Sequence, residues 1–352
     1  MKGWLKNLLL VVFSLGLVCL GLEGFLRFKD SAVGSSHPIH CYNRGADFSQ
    51  PQMKPGCRIP GITINSLGFR SRELSAKEIK KLRRVAIVGE SVAFGWGASS
   101  NQTTFAYRLE DLLGPSRYAV INAGVPSRTM EATEKYYQGY VSRFDPEVII
   151  VFCGWNDLHK CLAFKSLQPL FQKSHLFRRV YDKLWLLYLC NTKKISPVNE
   201  EVVANFQKTL RQFAREVSRA GKTMIVLTLP SYLNPQMGYK EYARQIAGNL
   251  GVYVNVATVI ATYKRFNNII RGLTDIPHVY VADVAKEFQG IPLKERKKLF
   301  IGEVVHLNDA GQLKIAQFLY DHWPGKKLRD RPGGNLTGRG IFSPQAQHDT
   351  GP

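Results

Sequence analysis

The chain has 352 residues, enough for one large domain or two small ones, and its 45% hydrophobic content can build a buried core. Its formal net charge of +21 is unusual, yet no nucleic-acid-binding signature accompanies it, and there is neither a C-x-x-C pair nor a Cys/His spacing that suggests zinc. Nucleic acid is therefore not an expected partner, nor is any metal or cofactor, and the basic clusters at Lys77–Arg84 and Lys294–Lys298 better suit anionic lipid headgroups or cell-wall polyanions.

The chain opens Met-Lys-Gly-Trp-Leu-Lys-Asn, followed by an uncharged, mostly apolar run from Leu8 to Leu22 that Gly24, Phe25 and Leu26 extend to about the 20 residues of a membrane span. No A-x-A-like cleavage site follows, and Val18 before Cys19 is too bulky for a lipoprotein site. An uncleaved signal anchor over residues 1–30 is expected, with Lys2 and Lys6 held in the cytoplasm and the rest of the chain outside. Residues 31–60, rich in Ser, Gly, Pro and His, read as a loop-rich linker, and linker plus extension run to residue 83. In an exported domain, Cys41 and Cys57 flank a loop that a disulfide would staple, whereas Cys153 reads as a small apolar residue at a strand end.

From Arg84 onward, apolar β-branched runs alternate with helical patterns. Strands are expected at Val85–Val88, Tyr118–Ile121, Glu147–Phe152, Lys222–Leu229 and Val279–Val284. Helices are expected at Thr103–Leu113, Thr129–Phe144, Asn199–Arg219, within Tyr239–Arg271 and at Asn308–Tyr320. Such alternation implies right-handed crossovers and an α/β fold with a parallel sheet of about five strands, covered on both faces. Ligands then bind beyond the carboxyl ends of the strands. An insertion over 157–198 carries Phe171, Leu176, Phe177, Val180, Tyr181, Leu184, Trp185 and Tyr188, most of them at helical spacing. It reads as a helical excursion on the sheet or as a lid beside the site. Residues 325–352 are Gly-, Pro- and Arg-rich and read as a disordered basic tail.

Four short segments carry the chemistry. Gly89-Glu90-Ser91 follows the first strand, so Ser91 sits on a strand-to-helix turn with its hydroxyl exposed and its N–H at a helix N-terminus. This is not the G-x-S-x-G elbow, because Glu90 and Val92 flank the serine and Ala93 follows. Gly124 ends the second strand and offers an unobstructed N–H; Asn156, in Gly154-Trp155-Asn156-Asp157, offers a side-chain amide. Glu303 lies three residues before His306, close enough to orient the imidazole, and Asn308 is the N-cap of the helix that follows. Each has a plainer reading: Ser91 as a helix cap, Gly124 as a conformational glycine, Asn156 as a turn residue, His306 as a surface histidine. Their order and placement at strand ends favour acyl-ester hydrolysis.

These segments resemble, in the same order, the consensus blocks of the SGNH (GDSL) hydrolase family, over roughly Val85 to Trp323. The Asn-Ser-Leu-Gly-Phe-Arg stretch at 65–70 is similar to one upstream in membrane-anchored bacterial members. The resemblance implies a three-layer α/β/α flavodoxin-like domain over 84–324, a triad of Ser91, His306 and Glu303, and an oxyanion hole of the Ser91 and Gly124 N–H groups with the Asn156 amide. Two positions depart from the pattern: Glu90 and Glu303 stand where the family has aspartate. The expected activity is hydrolysis of a small-molecule, lipid or glycan ester. The same residues would serve an O-acyltransferase acting on an exported polysaccharide, and a non-catalytic envelope-binding domain of this fold is the rival outside enzymes.

Overall fold

A computed structural model of the chain describes residues 2–31, 38–162, 174–177, 179–180, 184, 188, 196–242, 245 and 254–324. The basic tail expected over 325–352 and most of the insertion, Phe171, Tyr181 and Trp185 included, lie outside the described residues.

In chain order the elements are α1 (Lys2–Ser31), a 3₁₀ turn (Pro38–Cys41), a two-strand hairpin β1 (Arg58–Ile59) and β2 (Ile62–Thr63), α2 (Ala76–Lys81), β3 (Arg83–Gly89), α3 (Ser91–Phe94), α4 (Phe105–Leu113), β4 (Tyr118–Gly124) and α5 (Met130–Gly139). A second 3₁₀ turn (Val141–Phe144), β5 (Val148–Phe152), α6 (Trp155–Leu162), α7 (Glu200–Arg219), β6 (Thr223–Leu227) and α8 (Tyr239–Tyr242) follow. The chain then forms α9 (Val256–Arg271), β7 (Val279–Ala282), α10 (Val284–Gln289), α11 (Leu293–Lys297) and α12 (Asp309–Asp321).

Five strands form one parallel sheet in the order β4-β3-β5-β6-β7. All five expected strands are present. Val85–Val88 of β3 and Ile149–Phe152 of β5 have no exposed surface, the burial on both faces that β-branched runs suit. Helices cover both faces, completing the three-layer α/β/α sandwich. On α7, Val203, Phe206, Leu210, Phe213 and Val217 form one buried stripe, and Asn199 caps its first turn by accepting from Glu201 and Val202 N–H. The helix expected over Thr129–Phe144 is broken: α5 ends at Gly139, a poor helix former, and the 3₁₀ turn follows. Of the helical pattern expected within 239–271, α8 and α9 are described.

β3 is where the strand order reverses, with β4 on one side and β5 on the other. The turns leaving β3, β4 and β5 therefore meet at one end of the sheet, which places Ser91, the loop after Gly124 and Asn156 together.

Residues 38–75, expected to be largely linker, are loop-rich but belong to the core: Cys41, Met53, Ile64, Phe69 and Leu74 are all buried. Cys41 and Cys57 are joined by a disulfide. The outer edge of β4 is paired by this segment, because Arg70 N–H donates to Asn122 O (3.1 Å) and Asn122 N–H donates to Ser71 Oγ (2.7 Å). Helix α1 is unlike the rest: Lys6–Phe28 has a mean hydropathy of 2.3 and none of it is buried, and by length and composition it is able to cross a membrane.

One core position carries a pH signature. Glu134 on α5 is 9% exposed and its Oε1 has no hydrogen-bond partner among the described residues. Burial, together with Glu216 and Glu131, pushes its carboxyl up to about 7 from 4.5. A raised acid is held neutral in the fold, so its stabilising contribution is full below 4.5 and is lost as pH rises through 7. Glu134→Gln, which stays neutral, is expected to unfold at the same temperature as wild type near pH 4.5 but to gain about 1 kcal/mol at pH 8, a fraction of the full effect of that shift because Lys135 and solvent screen the charge. Calorimetric scans of both proteins across that range, read as a difference, check this.

Candidate active site

Ser91 is the first residue of α3, directly after β3. Gly89 permits this turn: its φ is +147°, and a Cβ there would lie 2.1 Å from Phe152 O on β5. Ser91 is partly exposed and its Oγ lies 2.8 Å from His306 Nε2. His306 sits in the loop before α12, where Ile301 N–H donates to its carbonyl (3.1 Å) and Asn308 caps the helix. Its Nδ1 lies 2.7 Å from Glu303 Oε1.

Glu303 does more than face the imidazole. It is 7% exposed, and its carboxylate also accepts from the N–H groups of Val305 (2.8 Å) and His306 (2.6 Å). Buried Val304 and Val305 root the turn, and Ser231 Oγ, from the loop after β6, donates to Val304 O (2.8 Å). The extra methylene of glutamate is thus absorbed by a carboxylate that closes its own turn. The Trp96 ring stands 5.7 Å from the His306 ring, centroid to centroid, as one wall beside the relay.

Glu90, fully buried under the Ser91 turn, accepts from the N–H groups of Gly154 (2.9 Å), Trp155 (2.6 Å) and Asn156 (2.7 Å). Burial and the Asp157 carboxylate push it up to about 8, against the pull of those three donors. Asp157, itself raised to about 6 by burial, accepts from Met130 N–H at the start of α5 (2.9 Å). Asn156 Nδ2 donates to Arg128 O (3.1 Å) and keeps a second N–H. Glu90, Asn156 and Asp157 therefore join the turns after β3, β4 and β5 into one unit. Glu90→Ala is expected to lower the unfolding temperature and reduce kcat by about 10-fold or more, because three N–H groups, two of them buried, lose their acceptor. Thermal scans and steady-state kinetics read the two effects.

Gly124 has a different place from the one expected. Its N–H donates to Asn122 Oδ1 (3.1 Å), and a Cβ on it would lie 2.3 Å from Phe94 N, so the glycine serves the close approach of α3 to β4. Beyond it, Ser127 is exposed and holds a left-handed backbone, φ +64°, in the loop whose next carbonyl Asn156 bonds.

The extension reaches this site in two places that sequence reading missed. Arg70, 2% exposed, donates to Gly95 O (2.9 Å), Gly61 O (2.9 Å) and Asn101 Oδ1 (3.0 Å), and lies over the Phe94 ring. It closes the carboxyl end of the short helix that begins with Ser91, and burial lowers its pKa to about 10. From the disulfide-closed loop, Tyr42 OH donates to Pro126 O (3.1 Å), while the Arg128 guanidinium bonds Gln52 Oε1 and lies over the Phe48 ring. Among the described residues no cluster of His, Cys, Asp and Glu suited to a metal ion is found.

The sequence matches the model of the GDSL-like lipase/acylhydrolase family over residues 87–314, well over half of the chain. The chain belongs to that family. As a member it is a hydrolase of ester bonds, and the SGNH resemblance of its four segments is accounted for. Comparison with curated protein sequences returns no match. Among solved structures, the hydrolase is similar to a lipase/acylhydrolase from Enterococcus faecalis at 16% identity, covering 70% of this chain and 97% of that one, with a TM-score of 0.46. It is also similar to the acetyl xylan esterase AlAXEase (16% identity, 68% and 98% covered, TM-score 0.44). An acetylxylan esterase from Geobacillus stearothermophilus is a third (13% identity, 68% and 93% covered, TM-score 0.41).

Proposed function

We propose that this hydrolase cleaves a carboxylic ester through an acyl-enzyme on Ser91, acting outside the cytoplasmic membrane. The observation that carries the mechanism is the relay from Ser91 Oγ through His306, 2.8 Å on one side, to Glu303, 2.7 Å on the other. His306 Nε2 takes the Ser91 proton as Oγ attacks the ester carbonyl, and Glu303 steadies the imidazolium. The oxyanion meets the Ser91 N–H at the start of α3 and the free N–H of the Asn156 amide. Ser127 N–H, on the exposed loop after β4, is the better third donor, since Gly124 N–H is already engaged. His306 then protonates the departing alkoxide. In the second half, it takes a proton from water, whose oxygen attacks the acyl carbon, and returns the proton to Ser91 Oγ.

Location outside the membrane is supported by α1 with Lys2 and Lys6 before its apolar run, and by a disulfide, which persists in oxidising compartments. The full chain in detergent, offered p-nitrophenyl acetate, butyrate and longer esters and then a fluorophosphonate, tests the reaction. Turnover together with a single adduct at Ser91 by peptide mass mapping is expected. A well-folded protein that neither hydrolyses any ester nor takes the label would overturn the reading.

A further inference from the structure

Some of the apolar residues of the insertion are not packed on the sheet. Phe177, Val180, Leu184 and Tyr188 are 60%, 49%, 62% and 61% exposed. Residues 175–177, 179–180, 184 and 188 are helical, and spacings of three, four and four put these four side chains on one face. Outside α1, Ile301 is the only other large hydrophobic side chain among the described residues with comparable exposure. A stripe of this kind beside an equally bare apolar helix marks an interaction surface.

The two apolar surfaces are connected. Glu23 on α1 accepts from Ser174 Oγ (3.0 Å), His175 N–H (2.9 Å) and Leu176 N–H (2.8 Å), the leading donors of the insertion helix. Glu23 lies 17 residues beyond Lys6. At 1.5 Å per residue that is roughly 26 Å along α1, near the far boundary of a hydrocarbon core about 30 Å thick. The insertion helix thus begins at the depth where a bilayer's outer headgroups start. In the sequence, Arg178, Arg179 and Lys183 are interleaved with the residues of this stripe, against one acid, Asp182. Tyr181, Trp185 and Tyr188 are residue types favoured at the headgroup level.

We propose that the Phe177–Val180–Leu184–Tyr188 face of the insertion lies in the interface of the same bilayer that α1 crosses. The proposal rests on reading α1 as a membrane span. The bilayer is favoured over a protein partner by the Glu23 tether to α1 and by the basic residues interleaved with the stripe in the sequence, which suit lipid phosphates. Because the insertion follows α6, which begins at Trp155 beside Asn156, it joins the oxyanion side of the site to the lipid surface.

The test uses the full-length hydrolase in vesicles of phosphatidylethanolamine and phosphatidylglycerol, with an environment-sensitive fluorophore at one thiol. In a Cys190→Ser protein the label goes to Cys19 on α1, since Cys153 and Cys161 are buried. In a Cys19→Ser, Cys190→Ser, Leu184→Cys protein it goes to the stripe, and retained p-nitrophenyl acetate turnover confirms folding. Loss of most of the fluorescence to a nitroxide carried on lipid chains is expected at both positions, with little loss to aqueous iodide. Lipid quenching at Cys19 with iodide quenching at Leu184→Cys would overturn the proposal and leave the anchor standing. Shielding of Leu184→Cys from both quenchers would place protein, not lipid, on that face and overturn it as well. Iodide quenching at both positions would remove the anchor, and the proposal with it.

Discussion

Ser91→Ala is expected to lower kcat for p-nitrophenyl esters by at least ~10³-fold while leaving the unfolding temperature within a degree or two of wild type. The hydroxyl is partly exposed, and its one described bond is to His306, so removing it leaves no buried group unpaired. Whatever rate remained would come from the proposed oxyanion donors acting on water, since Asn156 and the N-terminal N–H of α3 are untouched. KM is expected to change little, because substrate binding does not need Oγ. Stopped-flow turnover of the acetate ester and mass detection of an acyl adduct in wild type alone decide the matter. A variant retaining a tenth of the wild-type kcat would exclude Ser91 as nucleophile.

Glu303→Gln is the second large effect, about 10²- to 10⁴-fold in kcat. An amide faces the His306 Nδ1 with an oxygen or with an NH₂; the oxygen preserves the tautomer but lacks the charge that stabilises imidazolium. The carboxylate also takes the N–H groups of Val305 and His306, so the amide disturbs the turn as well as the ring. Glu303→Asp separates the two roles. The shorter side chain keeps the charge but cannot reach the imidazole and both N–H groups from the same backbone, so partial recovery of kcat is expected, with an unfolding temperature below wild type. Equal kcat in Glu303→Gln and wild type would mean that His306 works without an acid partner.

The sheet was legible because its strands are continuous β-branched runs bounded by helical periods, and a parallel sheet buries both faces of each strand. The site was legible in part. Ser91, His306, Glu303 and Asn156 announce themselves through residue type and position at strand or helix ends, and the structure brings them together. At Gly124 the sequence leaves two roles open: a glycine at a strand end can serve either an exposed N–H or a close helix contact, and only the packing of α3 shows the second. Arg70 and Tyr42 were invisible because they act across about 25 and 84 residues of chain respectively, on backbone carbonyls that any residue would present. The insertion's apolar residues were seen, but periodicity does not tell a face against a sheet from one that leaves it.

The wrapped extension has a practical consequence for anyone who would move this enzyme. The segment that defines its family starts at residue 87, yet a polypeptide cut there would not be a portable module. The carbonyls of Phe94 and Gly95 would lose the Arg70 guanidinium, and on the open edge of β4 the Asn122 C=O would lose the Arg70 N–H and the Asn122 N–H would lose the Ser71 hydroxyl. The loop that bears Arg128 would lose Tyr42 and Gln52. A soluble form made without α1 must therefore retain the chain from before Cys41, and must be produced where that cysteine can find Cys57. In this hydrolase the stretch between α1 and the family's own segment, easily discarded as a tether, is a brace that holds the candidate site at two points.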